Sequence, residues 1–452
     1  MERHTRALPV TTGVYSPTIV QGPSLAAAQE VDCSSDALDR ADYDCLEAMP
    51  ALKSLRVRTA DMSARSMARL AQLPGLEQLV LIGAPNDRVP KPGVMRVVAQ
   101  MTHLTQLLAS HILGRGADGT AALLPLTRLA SLGLVGRVLR CEGVAKLGKM
   151  HSLQQLVLVD CPLATYMRDD GAEVLTHGGA AALTSLSGLR DLVIRNCYVG
   201  AEDAKHLAKL TNLTSLDVSQ NWIGKGIASL RPLKVLRHFQ LFQNRIRFED
   251  RGGVVVDDID LSGLAAMPLT TLELSENVLT GGFRTLEPLA PSLENLFVGL
   301  CHLGPQDAAD IAKLRALTFL SINNNPLTDK GLAALAAGLV NLKRLCLYFT
   351  SISGTSLELV SRLSALEVLG LQNDHLASGV RHLSALPKLS ALVFADVGLQ
   401  PEQVHFLAAC PALTDLNIRG NFSGCDFAWR GHRVPGAPKY GEIQIGEVTI
   451  YF

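Results

Sequence analysis

The chain has 452 residues, 48% of them hydrophobic and only 5% aromatic, so a large core can be built, mostly from Leu, Ala and Val. Its 42 basic and 42 acidic residues cancel, which argues against binding nucleic acid or strongly anionic membranes, because both need an excess of Lys and Arg. No apolar run approaches the roughly 18–20 residues that span a bilayer. Residues 1–30 contain Arg3, Arg6, Pro9, Pro17 and Pro23 without an apolar leader core, so a soluble, intracellular protein is expected.

In chain order, residues 1–24 show no repeat and are expected to form a flexible tail. Residues 25–51 read as a worn cap coil, with Val31 and Cys33 at inward strand positions and Leu38 beyond. From Leu52 onward one pattern recurs, L-x-x-L-x-L-x-x-N-x-L. It stands as "LTSLDVSQNWI" at Leu213, "LTTLELSENVL" at Leu269, "LTFLSINNNPL" at Leu317 and "LTDLNIRGNF" at Leu413. Starts fall at Leu52, Leu76, Leu104, Leu129, Leu153, Leu189, Leu213, Leu236, Leu269, Leu293, Leu317, Leu342, Leu366, Leu389 and Leu413, most of them 23–25 residues apart. A sustained period of this length marks a repeat array, expected over 52–436.

The alternating leucines of each start share one face of a short strand. The stretch after Leu327, "TDKGLAALAAGLVN", has apolar residues at helical spacing and reads as a short helix returning the chain. One such unit cannot bury its apolar face alone, whereas stacked neighbours can. Two units are long. Their extra segments, "ATYMRDDGAEVLTHGG" (164–179) and "RFEDRGGVVVDDID" (247–260), are expected to be solvated loops. The end segment 437–452 reads as a cap, with Tyr440, Ile443, Ile445, Val448 and Ile450 at repeat offsets and the last strand as a sheet edge.

This pattern is highly specific and resembles the leucine-rich-repeat family over nearly the whole chain. The resemblance implies an α/β solenoid, a horseshoe with a parallel concave β-sheet and short helices on the convex side. It also implies a conserved-type turn position that accepts Asn, Cys or Thr. Cys161, Cys197, Asn221, Asn244, Asn277, Cys301, Asn325, Thr350 and Asn421 occupy it here. The Ala/Leu-rich coils of about 24 residues are similar to those of bacterial and protist members, host-directed effectors of pathogenic bacteria among them.

No motif assembles an active site. Gly114, Gly116 and Gly119 spell G-x-G-x-x-G, but position 139 is Leu and the repeat already accounts for the segment. "GVAKLGKM" (143–150) places Met150 where a phosphate loop needs Ser or Thr, and it precedes its strand. The acids Glu249, Asp250, Asp257, Asp258 and Asp260 lack the calcium-loop spacing. The nine cysteines show no C-x-x-C, and no metal set, catalytic set or cofactor is expected.

Function is therefore expected on the outward strand residues, which owe nothing to the core. Residues two, four, six and seven after each starting Leu form that wall. Early coils supply Val80, Ile82, Val135, Val157, Val159 and Val193, and later coils supply His238, Gln240, Phe242, Phe297, Leu300, Phe319, Asn323, Asn324, Arg344, Tyr348, Phe349, Gln372 and Asn373. Aromatics ringed by polar groups beside an Arg suit a protein partner. The expectation is a monomeric, non-enzymatic interaction scaffold that binds a partner protein on the concave face. Location would be cytoplasmic, or a host cell reached without a cleavable leader. The alternatives are a regulator of a small GTPase or phosphatase, and a surface or secreted recognition protein. In the run Asn323–Asn325, Asn325 is expected to be a buried turn residue, while Asn323 and Asn324 are expected to be free for contacts, so that Asn325→Ala alone destabilises.

Overall fold

The computed structural model describes residues 28–421 apart from 35–37, 39, 60–61, 84–92, 112–119, 137–140, 164, 170–171, 177–178, 245, 249–253, 257, 281 and 373–374, together with the strand segments 427–429, 432–434, 442–445 and 448–451. Of the segments 165–169, 172–176, 246–248, 254–256, 427–429, 432–434 and 442–445 only the backbone is described. The expected tail 1–24, the glycine motif 114–119, Tyr440, Asn373 and Glu249, Asp250 and Asp257 lie outside the described residues. The chain divides into two compact units, Met1–Leu163 and Ala164–Phe452.

The first unit is a parallel sheet of β1 (Glu30–Cys33), β2 (Ser54–Arg58), β3 (Gln78–Ile82), β4 (Gln106–Ser110), β5 (Ser131–Val135) and β6 (Gln155–Val159). Each strand pairs with the next in repeat register, so Val31, Leu55, Leu79, Leu107, Leu132 and Leu156 lie side by side. From β2 on, these residues and their partners two positions later, such as Val57, Leu81 and Leu134, are fully buried. Each buried Leu or Val stabilises the stack by roughly 1.5–3 kcal/mol. Short helices such as Ala64–Leu70, capped by the Ser63 hydroxyl, close each coil and bury Met67 and Leu70 against the same core.

The second unit repeats the plan. Its sheet contains β9 (Asp191–Arg195), β10 (Ser215–Asp217), β11 (His238–Gln240), β15 (Thr271–Glu273), β17 (Asn295–Phe297), β18 (Phe319–Ser321), β19 (Arg344–Cys346), β20 (Val368–Gln372), β21 (Ala391–Ala395) and β22 (Asp415–Asn417). All pair in parallel, each with the next in that order. The returning segments are a mixture. Some are α-helices, such as Ala201–Leu207 and Thr328–Gly338, and others are 3-10 helices, such as Gly224–Leu230 and Ala377–Ala385. A 3-10 turn rises about 2 Å per residue against 1.5 Å in an α-helix, so it spans the same coil with fewer residues. Neighbouring segments approach so closely that a Cβ on Gly379 would lie 1.8 Å from the Gly354 carbonyl oxygen.

Two expectations about the insertions and the end are corrected. The long segments are not loops. In 164–179, β7 (Thr165–Asp169) and β8 (Ala172–Thr176) form an antiparallel hairpin in which Asp169 faces Ala172. The two residues between them are Asp170 and Gly171, a pair suited to the tight turns that match strand twist. In 247–260, β12 (Ile246–Phe248) pairs antiparallel with β13 (Val254–Val256), and β14 (Asp258–Asp260) pairs parallel with β16 (Val278–Thr280). Asp260 is committed there to capping the next turn, accepting from the Ser262 amide at 2.9 Å. At the end, β25 (Glu442–Ile445) and β26 (Val448–Tyr451) form another hairpin, after a separate one between β23 (Phe427–Trp429) and β24 (His432–Val434). β26 pairs on both sides, with β22 and β25, so the terminal strand is not an edge. Ile445 pairs with Val448 in the hairpin, while β26 continues the parallel sheet beside β22, with Ile450 next to Leu416.

Candidate binding surface on the strand face

Strand register in the second unit places outward side chains in parallel rows. One row runs Ser215, His238, Thr271, Asn295, Phe319, Arg344 and Val368, and the next runs Asp217, Gln240, Glu273, Phe297, Ser321, Cys346 and Gly370. The predicted residues Phe297 and Phe319 thus sit on adjacent strands, and their rings meet at a centroid distance of 4.6 Å with a 48° tilt. Arg344 lies beside Phe319 and is exposed. Tyr348 lies over Gly370, whose missing side chain makes room: a Cβ there would fall 2.5 Å from the Tyr348 hydroxyl oxygen. Burial holds the Tyr348 phenol above its usual pKa.

His238 and Gln240 are not part of this cluster, because two strands, β15 and β17, stand between β11 and Phe319. Phe242 is half-buried at the rim of its own coil. Gln372 bonds onward to Asp396, its amide donating to Oδ2 at 2.9 Å.

The turn positions bind the coils together. Asn325 is buried; its amide donates to the carbonyls of Val298 (2.8 Å), Ile322 (2.9 Å) and Asn323 (3.1 Å), and its oxygen accepts from the backbone of Cys301 (3.1 Å) and Leu303 (2.9 Å). Asn221, Asn244 and Asn277 make equivalent sets, and the Asn277 oxygen accepts from the Asn244 amide at 2.7 Å. Cysteine at this position has one donor and a smaller reach: Cys161 donates to Gly136 (3.1 Å), Cys197 to Arg195 (3.1 Å) and Cys301 to Leu274 (3.2 Å). Thr350 donates to the Leu347 carbonyl at 3.1 Å. Asn421 makes the same contacts with Val397, Leu399 and Phe394 but is half-buried where burial was expected, since it stands in the last coil of the parallel series before the closing hairpin.

Asn323 departs from the expectation that it is free, whereas Asn324 is exposed as expected. The Asn323 oxygen accepts from the Tyr348 amide at 2.9 Å, and its nitrogen donates to the Ser321 hydroxyl at 3.0 Å, so it joins two coils. Asn324 has a left-handed backbone, φ +55°, at the point where the strand must turn.

That left-handed position is periodic. Seven residues after the starting Leu stand Asn196, Gln220, Gln243, Glu276, Leu300, Asn324, Phe349 and Asp396, all with φ between 50° and 59°. Polar side chains there bridge coils: Gln220 donates to Gln243 at 3.1 Å, and Gln243 donates to Glu276 at 2.6 Å. Leu300 and Phe349 interrupt this polar row. An L-residue pays about 1–2 kcal/mol in this conformation, and Asn or Asp offsets it through local hydrogen bonds. Leu and Phe have no such offset, yet they stand 40% and 50% exposed.

The wall also holds acids that the aromatic reading passed over, although the same offsets generate them. Asp217 is buried and paired with Arg195. Glu273 accepts from the Ser275 amide at 2.6 Å. Burial, with help from Asp217 and Glu276, raises its pKa against the Ser275 hydrogen bonds. Burial raises Asp191 as well.

The strand face of the first unit is different. A concavity of about 590 Å³ is lined by Gln78, Gln106 and Ser54 on one row and by Val80, Leu108 and Arg56 on the next. Ser131 donates to Gln155 at 2.7 Å, continuing the polar row, and Leu108 covers Gly133. Val80, Ile82, Val135, Val157 and Val159 of the wall are half-buried on this sheet. Among the described residues no group of His, Cys, Asp and Glu could hold a metal ion, and no helix is long and apolar enough to cross a membrane.

A family model described as Leucine Rich repeat matches residues 209–230 and 313–336. No curated protein matches the chain in sequence. Among solved structures, a leucine-rich-repeat protein of Leptospira interrogans is similar over 90% of this chain and 94% of its own, at 17% identity and a TM-score of 0.56. An internalin of Listeria monocytogenes is similar over 82% of this chain and 88% of its own, at 18% identity and a TM-score of 0.44. At these identities the likeness is one of fold. With the repeat period, the parallel coils and the ladder of turn asparagines, the chain has the leucine-rich-repeat fold, and the family model matches it at two of its coils.

Proposed function

We propose that this protein is a non-enzymatic scaffold that holds a partner protein on the strand face of its second unit. The carrying observation is the pair Leu300 and Phe349, exposed and in a left-handed conformation that costs stability and gives the core nothing. They flank the coil that starts at Leu317, and these three neighbouring coils also present Phe297, Phe319 and Tyr348, the residue types that anchor protein interfaces. The partner is a protein segment large enough to cover several coils, and the scaffold acts as a monomer.

The buried thiols of Cys161, Cys197, Cys301 and Cys410, which donate to backbone carbonyls, support a reducing compartment. The proposal therefore places the protein in the cytoplasm, of its own cell or of a host cell. A role as a host-directed bacterial effector belongs to the same proposal and rests on the Ala/Leu-rich coil type and the polar segment 1–24.

The test substitutes Leu300→Asn and Phe349→Asn together, copying the residue that Asn324 supplies in the coil between them. Proteins retained from a cell extract by the wild type are compared with those retained by the variant. Loss of a specific partner with an unchanged circular dichroism spectrum is expected. Identical recovery from both would refute the strand-face reading.

A further inference from the structure

The aromatic strip lies between charges of opposite sign. On one side stand Glu273 and Glu276, neither of which has a cationic partner among the described residues. On the other stands Arg344, exposed and without an acidic partner among the described residues. Neighbouring surface charges in this chain do pair where geometry allows, as Lys343 does with Glu367 at 3.6 Å. The three charges therefore have no counter-ion among the described residues.

Resting on the strand-face reading, we infer that the surface takes an extended polypeptide segment with a basic residue, an apolar or aromatic residue, and an acidic residue in that spatial order. The basic side chain sits on Glu273 and Glu276. The apolar side chain packs on the joined rings of Phe297 and Phe319. The acidic side chain reaches Arg344.

The register sets the spacing. Glu273, Phe297, Ser321 and Cys346 are successive partners across four strands, and Arg344 is two residues before Cys346. Three strand steps of about 4.8 Å, with one side-chain repeat of about 6.6 Å along the strand, separate the charges by roughly 16 Å. An extended chain rises about 3.3 Å per residue, so the basic and acidic residues lie about four to five positions apart. Burial strengthens the cation preference. Glu273 is half-buried and its carboxylate is destabilised by Asp217 and Glu276, so a cation arriving there relieves a repulsion already present.

The probe is a phage-displayed library of random dodecapeptides, selected on the full chain and on two variants. Wild type is expected to enrich peptides with Arg or Lys, a large apolar residue, and Asp or Glu at that spacing. Glu273→Gln/Glu276→Gln, which keeps side-chain shape, is expected to lose the basic preference and to weaken a selected peptide about tenfold by fluorescence anisotropy, the size of two partly exposed ion pairs. Arg344→Glu is expected to exchange the acidic preference for a basic one. Enriched peptides without the charge pattern, or unchanged affinity in the Gln variant, would overturn the inference. Failure to enrich any peptide overturns it too. The strand-face reading fails separately, if Leu300→Asn/Phe349→Asn retains the same proteins as wild type.

Discussion

The oxygen of Asn323 accepts a hydrogen bond from the backbone amide of Tyr348 at 2.9 Å, and this bond ties the coil that starts at Leu317 to the one that starts at Leu342. A side chain on the strand face therefore sets the position of the aromatic residue beside it. Substituting Asn323 removes a coil-to-coil bond as well as a possible contact, so it cannot serve as a purely surface probe. Asn323→Ala is expected to lower stability by about 1 kcal/mol, the usual net worth of one hydrogen bond. Urea unfolding measures it, and an unchanged midpoint would show that the bond contributes nothing.

Asn325→Ala goes further. It leaves the Cys301 and Leu303 amides and three carbonyls without their side-chain partner. At roughly 1–3 kcal/mol for each buried group left unpaired, the loss should be about 3 kcal/mol or more. Hydrogen exchange gives the local readout: the amides of Cys301 and Leu303 should lose protection first.

Leu300→Asn and Phe349→Asn should act in the opposite direction on stability. Asn tolerates φ near +55°, so each substitution is expected to leave the melting temperature unchanged or to raise it, by up to about 1 kcal/mol in stability. Partner binding should fall at the same time. A drop in melting temperature would mean that the two side chains support the fold and are not held out for a partner.

Glu273 predicts a pH dependence. Its folded pKa lies above the ordinary value of 4.5, so the folded protein holds this proton more tightly than the unfolded chain. Its contribution favours the fold below the ordinary value and is lost as pH rises through the raised folded value. Glu273→Gln removes that titration. The melting temperature of wild type relative to the Gln variant should therefore fall as pH increases from about 4 toward neutrality. A difference that stays flat over this range would show that the Ser275 hydrogen bonds offset the burial of Glu273.

The repeat was legible because its physics is local. Leu320 and Ile322 alternate inward on one strand, and Asn325 follows at a set distance, so each coil announces itself without reference to its neighbours. The hairpin over 165–176 is equally local, with Asp170–Gly171 between two runs that pair, although its departure from the repeat makes the segment resemble a loop. The paired state of β26 was hidden, because it depends on which strand lies beside it.

By itself the sequence determined the parallel α/β coils, their register and the identity of the outward-facing residues, since each follows from spacing within one repeat. Tertiary structure alone decided which outward residues are available. Asn323 is occupied by Tyr348, Asp217 by Arg195, and Gly370 is covered by the Tyr348 ring, while Leu300 and Phe349 stand exposed with left-handed backbones. These outcomes depend on side chains about 24 residues apart meeting across adjacent strands, a distance over which no periodicity in one repeat carries information.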